Sequence, residues 1–343
     1  MNVLVTGNLG YIGSVMVPYL VKKNHRVSGL DTGYYAGDAM YPFRQPVARQ
    51  INKDIRDVEP GDFAGYDAVI HLAALSNDPI GELNPSLTEE INLRATLRVA
   101  ECAKRAGVSR FLFASSPSIY GISSQNSALD EDAAKAPLTV YARTKWQAEQ
   151  QLGGFSGGDF FCVYLRPSTA YGASPMFRGD LVFNNFIACA YTTGKIEIKS
   201  DGAPWRPLAH VEDIAEGFAA ALAAPRELVE NRAFHIGVPG GNYTVRDIAQ
   251  AAQNALPQVP LTFSGEHARS RSYQASFRRI LTELGEYYRP RWNLEKSAAE
   301  ILALFEKVHF SREDFEGPRT IRIQRLQTLL EEGKLTSALR WKV

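Results

Sequence analysis

Asn2-Val3-Leu4-Val5-Thr6-Gly7-Asn8-Leu9-Gly10-Tyr11-Ile12-Gly13 decides how the rest of the chain is read. Asn2 to Thr6 is a short apolar run of the kind that forms a buried strand, and Tyr11 to Lys23 carries the apolar spacing of a helix. Between them stand Gly7, Gly10 and Gly13. A glycine run that ends a strand and opens a helix makes a cradle for a pyrophosphate. One glycine permits the tight turn, one lets the backbone approach the phosphates, and one allows close helix-to-strand packing, while the helix N-terminus presents amide N–H groups and partial positive charge. Outside that context the same glycines are only a turn.

Working outward, strand and helix signals alternate. Val27 to Leu30 is a second strand ending at Asp31, Asp67 to Leu72 another, and Arg110 to Ala114 and Phe161 to Leu165 two more. Helices are expected over Pro85 to Ala106 and Thr139 to Leu152. This alternation specifies an α/β, Rossmann-type doubly wound parallel sheet over residues 1–166. Beyond Arg166 the pattern loosens. Helices are expected over Leu181 to Thr193, His210 to Ala223 and Thr244 to Leu256, with a short strand over Ala233 to Gly237 and an amphipathic segment over Pro318 to Leu335. Residues 167–343 therefore read mainly as a smaller C-terminal α/β substrate lobe, with about 205–224 returning to the first domain.

Composition narrows the function. With 38 Lys+Arg against 37 Asp+Glu the formal charge is +1, so no whole-protein field exists to hold nucleic acid or an anionic membrane, and bound anions must be gripped locally. No stretch approaches the roughly 20 apolar residues of a membrane helix. The opening residues lack the basic region of a cleaved signal. Cys102, Cys162 and Cys189 are odd in number and far apart, which suits a reducing cytoplasm better than a disulfide framework or a zinc site. His71, His210 and His235 lack metal-ligand spacing and read as packing residues.

Asp31, at the end of the second strand, is placed to accept the adenosine ribose hydroxyls. A carboxylate there repels a 2′-phosphate, which favours NAD over NADP. Asp54, followed by Ile55, would stand at a third strand end, where a carboxylate can accept the adenine amino group; alone it is only a loop acid. Tyr34, Tyr35, Tyr41 and Phe43 could stack on adenine or form a flap. Tyr141 and Lys145, four apart on a helix, share a face. A phenol titrates near 10, too high for a base at neutral pH, and an adjacent ammonium stabilises its phenolate.

These residues, taken in order with His71-Leu72-Ala73-Ala74, Ser115-Ser116-Pro117-Ser118-Ile119-Tyr120-Gly121, Arg166 and Trp205-Arg206-Pro207-Leu208-Ala209-His210-Val211-Glu212-Asp213, resemble the extended short-chain dehydrogenase/reductase family, the nucleotide-sugar epimerases and dehydratases. The resemblance implies that Ser116 and Tyr141 hydrogen-bond the reacting sugar hydroxyl, that Tyr141 takes its proton, and that Lys145 tunes Tyr141 and holds the nicotinamide ribose. It implies an NAD site made of Gly7, Leu9, Gly10, Tyr11, Ile12, Gly13, Asp31, Asp54, Ile55, Leu72, Ala73, Ala74, Asn92, Tyr141, Lys145 and Ser168. For the nucleotide-diphosphate sugar it implies Ser118, Thr169, Asn185, Arg206 and Arg271. It also implies a homodimer built on the two long helices. Leu87, Ile91, Val99 and Trp146 would make its apolar contacts unless they face their own sheet.

The departures matter too. Dehydratases of the family carry an Asp-Glu pair where this chain has Pro117 and Ser118, and a decarboxylase variant has glutamate at the second position, so both reactions are disfavoured. Thr169 replaces the asparagine many epimerases have after Arg166. In Ser76-Asn77-Asp78-Pro79, Asn77 or Asp78 could reach the sugar, although a solvated Asp-Pro turn is the simpler reading. The leading expectation is an epimerase that transiently oxidises a sugar hydroxyl, at C4. A ketoreductase using the same residues and a non-catalytic dinucleotide sensor are its rivals.

Overall fold

The computed structural model describes residues 1–76, 78–121, 127–265 and 272–342. Twelve strands are found among them, β1 (Asn2–Thr6), β2 (Arg26–Asp31), β3 (Gln50–Asn52), β4 (Ala68–His71), β5 (Arg110–Ala114), β6 (Phe161–Pro167), β7 (Thr169–Tyr171), β8 (Ile196–Ile198), β9 (Trp205–His210), β10 (Ala233–Ile236), β11 (Asn242–Thr244) and β12 (Leu261–Phe263). Seven form one sheet in the order β10-β6-β5-β4-β1-β2-β3, every pairing parallel. The chain leaves β1 in one direction to build β2 and β3, and in the other to build β4, β5 and β6. The crevice at the carboxyl ends of β1 and β4 is therefore the switch point where ligands bind in such sheets.

Period-two alternation sends side chains to the two faces. Val3, Val5, Ile70 and Leu112 pack with Met16 and Leu20 of the helix Gly13–Lys22 and with Ile214 and Phe218 of the helix Val211–Ala223. Leu4, Val69, Phe111 and Phe113 face Leu87, Ile91, Val99 and Leu152. Leu87, Ile91 and Val99 thus face their own sheet, while Trp146 packs beside Ile119, Tyr120 and Leu129. The expected helix from Pro85 to Ala106 is interrupted. An α segment Pro85–Glu89 passes into a π-helical turn, Glu90–Arg94, before α-helix resumes over Ala95–Arg105. His210 closes β9 and caps the following helix, accepting the Glu212 N–H at 3.2 Å on Nδ1.

The second lobe carries β11-β9-β7 and β12-β8, with a core that includes Phe177, Phe183, Ile248, Ile301 and Phe305. From it, residues 319–341 run back over the first domain as a strap. Arg319 Nη2 donates to Met40 O (3.0 Å), Arg325 Nε to Asp38 (2.8 Å), Arg56 Nη1 to Ala338 O (2.8 Å) and Trp341 Nε1 to Thr32 O (2.7 Å). The Tyr34 hydroxyl donates to Leu339 O. Leu326, Leu329, Leu335 and Leu339 join the same core cluster as Leu4 and Phe111. No helix among the described residues is long and apolar enough to cross a membrane.

Candidate functional site

A cleft opens at the switch point, lined by the glycine turn, the ends of β2, β4 and β5, and the loops after β3 and β6. Two glycines are dictated by space. Gly7 has φ +75°, and a Cβ there would lie 2.7 Å from Ala73 N; a Cβ on Gly13 would lie 2.3 Å from Gly7 O. The turn can close only with hydrogen at both positions, which leaves bare backbone at the mouth of the helix Gly13–Lys22. Asp31 ends β2 and accepts the N–H groups of Leu9 (3.0 Å) and Gly33 (2.8 Å). Burial raises its pKa despite those bonds. Gly7, Gly10, Tyr11, Ile12, Gly13, Asp31, Asp54, Ile55, Leu72, Ala73, Ala74 and Ser168 all line the cleft.

Leu9 meets Asp31 through its backbone and does not line the cleft. Asn92 works from behind the wall. Buried in the π-helical turn, it accepts Leu75 N–H at 2.8 Å and donates to Leu75 O at 3.0 Å, fixing the loop after β4. Asp54 is not a simple loop acid, because its carboxylate takes three hydrogen bonds from Arg56, one backbone and two guanidinium, at 2.7–3.0 Å. Burial opposes its ionisation, and the Arg56 contacts outweigh it, holding the carboxyl below its ordinary range. Tyr34 and Tyr35 reach the cleft; Tyr41 and Phe43 pack against each other outside it.

Ser116, Tyr141 and Lys145 converge at the cleft floor. Thr139 caps the helix Val140–Leu152 by accepting Ala142 N–H, which sets Tyr141 in its first turn and Lys145 one turn on. Ser116 Oγ accepts Ser118 N–H (3.2 Å) and Ser118 Oγ–H (2.9 Å), so its own proton is left to donate into the cleft. Burial pushes Tyr141 up to about 12, countered by a hydrogen bond with Ser116 and the Arg178 charge, and reinforced by Asp78. Lys145 is buried, donates to Ala114 O at 2.7 Å, and has its Nζ 5.8 Å from the Tyr141 ring centre. Burial pulls it down to about 7, against the opposing charge of Glu149. Desolvation acts on both groups and drives each toward its neutral form.

Ser118, Thr169 and Arg206 also line the cleft. Asn185 does not; its amide donates to Gly179 O at 2.8 Å. Its neighbour Asn184 turns inward, accepting Gly172 N–H (2.9 Å) and donating to the Tyr11 hydroxyl (3.3 Å). Arg271 and Asn77 lie outside the described residues. Asp78 is no solvated turn. It begins the helix Asp78–Leu83, lines the cleft and accepts the Thr139 hydroxyl at 2.6 Å. Sequence reading missed Arg178, Tyr273 and Arg322, which line the cleft from segments without a motif. Arg166, by contrast, is held in a buried pair with Glu149 (2.6 and 2.9 Å) away from the cleft.

Among the described residues, the hydroxyls of Ser115 and Ser168 are buried without a hydrogen-bond partner, and both residues line the cleft. Together with the bare glycine turn and the carboxylate ending β2, they form a donor and acceptor set that fits a dinucleotide.

Comparison with known proteins agrees. UDP-glucose 4-epimerase of Bacillus subtilis (strain 168) is 28% identical over 290 residues, covering 77% of this chain and 85% of that one. UDP-glucuronic acid decarboxylase 4 of Arabidopsis thaliana is 27% identical over 272 residues, 77% of this chain and 59% of that one. The solved structure of MoeE5 in complex with UDP-glucose and NAD superposes with a TM-score of 0.76 at 27% identity, covering 90% of this chain and 99% of that one. The model of the NAD dependent epimerase/dehydratase family matches residues 3–237, the span that holds the glycine turn, Asp31, Ser116, Tyr141 and Lys145. The chain belongs to the NAD dependent epimerase/dehydratase family, and its cofactor is NAD.

Proposed function

We propose that the protein is a nucleotide-sugar epimerase that inverts a sugar carbinol, at C4, through a transient keto sugar, with a UDP-sugar as substrate. The observation that carries this reading is the meeting of Ser116 and Tyr141 at the cleft floor, where the next two positions are Pro117 and Ser118. Neither can act as the carboxylate acid or base that eliminating water or losing carbon dioxide would draw on. The B. subtilis epimerase and the UDP-glucose complex of MoeE5 support the substrate class.

Bound NAD would supply the acceptor and donor of the hydride at the carbinol carbon, and its oxidised ring would add positive charge to the site. The turn Gly7 to Gly13 would hold its diphosphate against the helix N-terminus, and Asp31 would accept from its adenosine ribose. Lys145 Nζ, already bonded to Ala114 O, would hold the nicotinamide ribose with its remaining donors. Tyr141 Oη takes the proton of the sugar hydroxyl and later restores it, while Ser116 Oγ–H stabilises the developing alkoxide. Arg206 and Thr169, which line the same cleft, would meet the nucleotide diphosphate and the sugar.

The test is incubation with UDP-glucose and with UDP-glucuronate, followed by proton NMR. The expected product is the C4 epimer, with no net change in NADH absorbance. Tyr141→Phe should lower the rate by about a hundredfold or more while NAD still binds. Stoichiometric NADH turnover, or a dehydrated or decarboxylated product, would overturn the reading.

A further inference from the structure

The diphosphate of NAD brings two negative charges, yet neither the glycine turn, residues 6–13, nor the loop 32–43 contains a lysine or arginine. Of the cations lining the cleft, Lys145 is bonded to Ala114 O, Arg178 is held to both oxygens of Asp180 at 2.8–2.9 Å, and Arg206 Nη1 donates to Trp205 O at 2.8 Å. Arg322 stands apart from them. It begins the helix Arg322–Glu331 of the strap, outside the span of the family match, and is only 2% exposed. Its guanidinium lies over the Tyr35 ring, 4.2 Å from its centre, and Nη2 donates to Met176 O at 2.9 Å. Nη1 has no hydrogen-bond partner among the described residues. Asp38 is 3.8 Å from it and already bonded by Arg325.

Position then says which part of the dinucleotide Nη1 would meet. Met176 N–H is held by Ser174 Oγ, which also donates to Tyr11 O (2.9 Å), within the glycine turn, and contacts Ser14 Oγ (2.9 Å), on the helix that the turn opens. On its other side Arg322 shares the cleft wall with Asp31 and Tyr35. It therefore lies between the glycine turn and the end of β2, where a diphosphate joins the adenosine ribose. We propose that Arg322 is a cofactor-binding residue whose Nη1 donates to the NAD diphosphate, so that the strap and the glycine turn hold the cofactor from two sides. A buried guanidinium with an unfilled donor is costly until an anion arrives. Burial pulls Arg322 down to about 10, as this environment requires.

The inference rests on the NAD site and not on the reaction, so it is tested by binding. Cofactor-free full-length protein is titrated calorimetrically with NAD, ADP-ribose and adenosine. Arg322→Gln should weaken NAD and ADP-ribose by roughly tenfold or more, the loss of one charge-assisted hydrogen bond, and leave adenosine unchanged. Arg322→Lys should recover part of the loss. Unchanged affinity for ADP-ribose, or an equal loss for adenosine, would overturn the assignment. Hydrogen exchange on the unmodified protein gives a second measurement that holds even if Arg322→Gln fails to fold. ADP-ribose, but not adenosine, should slow exchange across 319–331; equal protection by both, or by neither, would refute it.

Discussion

Replacing Lys145 by methionine keeps the aliphatic stem but removes an amine that burial has brought from 10.5 to about 7. The unfolded chain holds this proton up to about 10.5, whereas the folded chain releases it near 7. Between those values the unfolded state binds one more proton, so stability rises with pH, by up to about 1.4 kcal/mol per unit once the folded lysine is neutral. Below about 7 both states are protonated and the slope vanishes. Going from about pH 7 to about pH 8.5, Lys145 should contribute between about 1 and 2 kcal/mol of added stability. The window stops there because Cys162 and Tyr141, both pushed up to about 12 by burial, act in the opposite sense once their unfolded counterparts ionise. Urea denaturation of the cofactor-free protein across this range measures the effect. The variant keeps His71 and His235, both drawn down to about 3 by burial, so the difference between the two pH profiles isolates Lys145. Loss of the donor to Ala114 O lowers the variant's stability by a constant and leaves the difference in slope intact. A variant that keeps the slope of the unmodified protein would refute the claim that Lys145 is folded in its neutral form.

Asp31→Ala should narrow the preference for NAD over NADP, read from the two dissociation constants, because it removes the carboxylate facing the ribose; an unchanged ratio would place the discrimination elsewhere. Gly13→Ala drives a Cβ against Gly7 O and should cost about 3 kcal/mol or more and abolish NAD binding, as seen by denaturation and titration. Asn92→Ala leaves the buried N–H and C=O of Leu75 without partners and should cost about 2 to 4 kcal/mol, with Asn92→Asp restoring only the acceptor half; a smaller loss would mean the loop after β4 is held by something else.

The parts legible in the sequence are those encoded by local spacing. The glycine turn, Asp31 at a strand end, and Tyr141 with Lys145 one helical turn apart each follow from a few neighbouring residues, and the parallel sheet follows from their alternation. Residues whose roles depend on tertiary placement were hidden. Asn184 and Asn185 are adjacent on one helix, where a rotation of about 100° per residue decides which faces inward. No local pattern marks the π-helical turn that carries Asn92 to Leu75. The spacing of Tyr141 and Lys145 says that they share a face but not how dry that face is, and dryness sets both their pKa values. Arg322 comes from the far end of the chain, in a segment whose amphipathic pattern announces a helix but not its destination.

That destination bears on how the protein is made. Tyr34 meets Leu339 across a sequence separation of 305, and Leu326 and Leu329 fill the same core as Leu4. A nascent chain emerging from the ribosome can pair β1 with β2 early, yet must wait until residues 319–341 appear before that face of the sheet is covered. In the interval an apolar surface meant for the strap is open to chaperones or to neighbouring chains. A stall or nick before residue 319 would thus leave an aggregation-prone species even though every residue of the glycine turn had been synthesised.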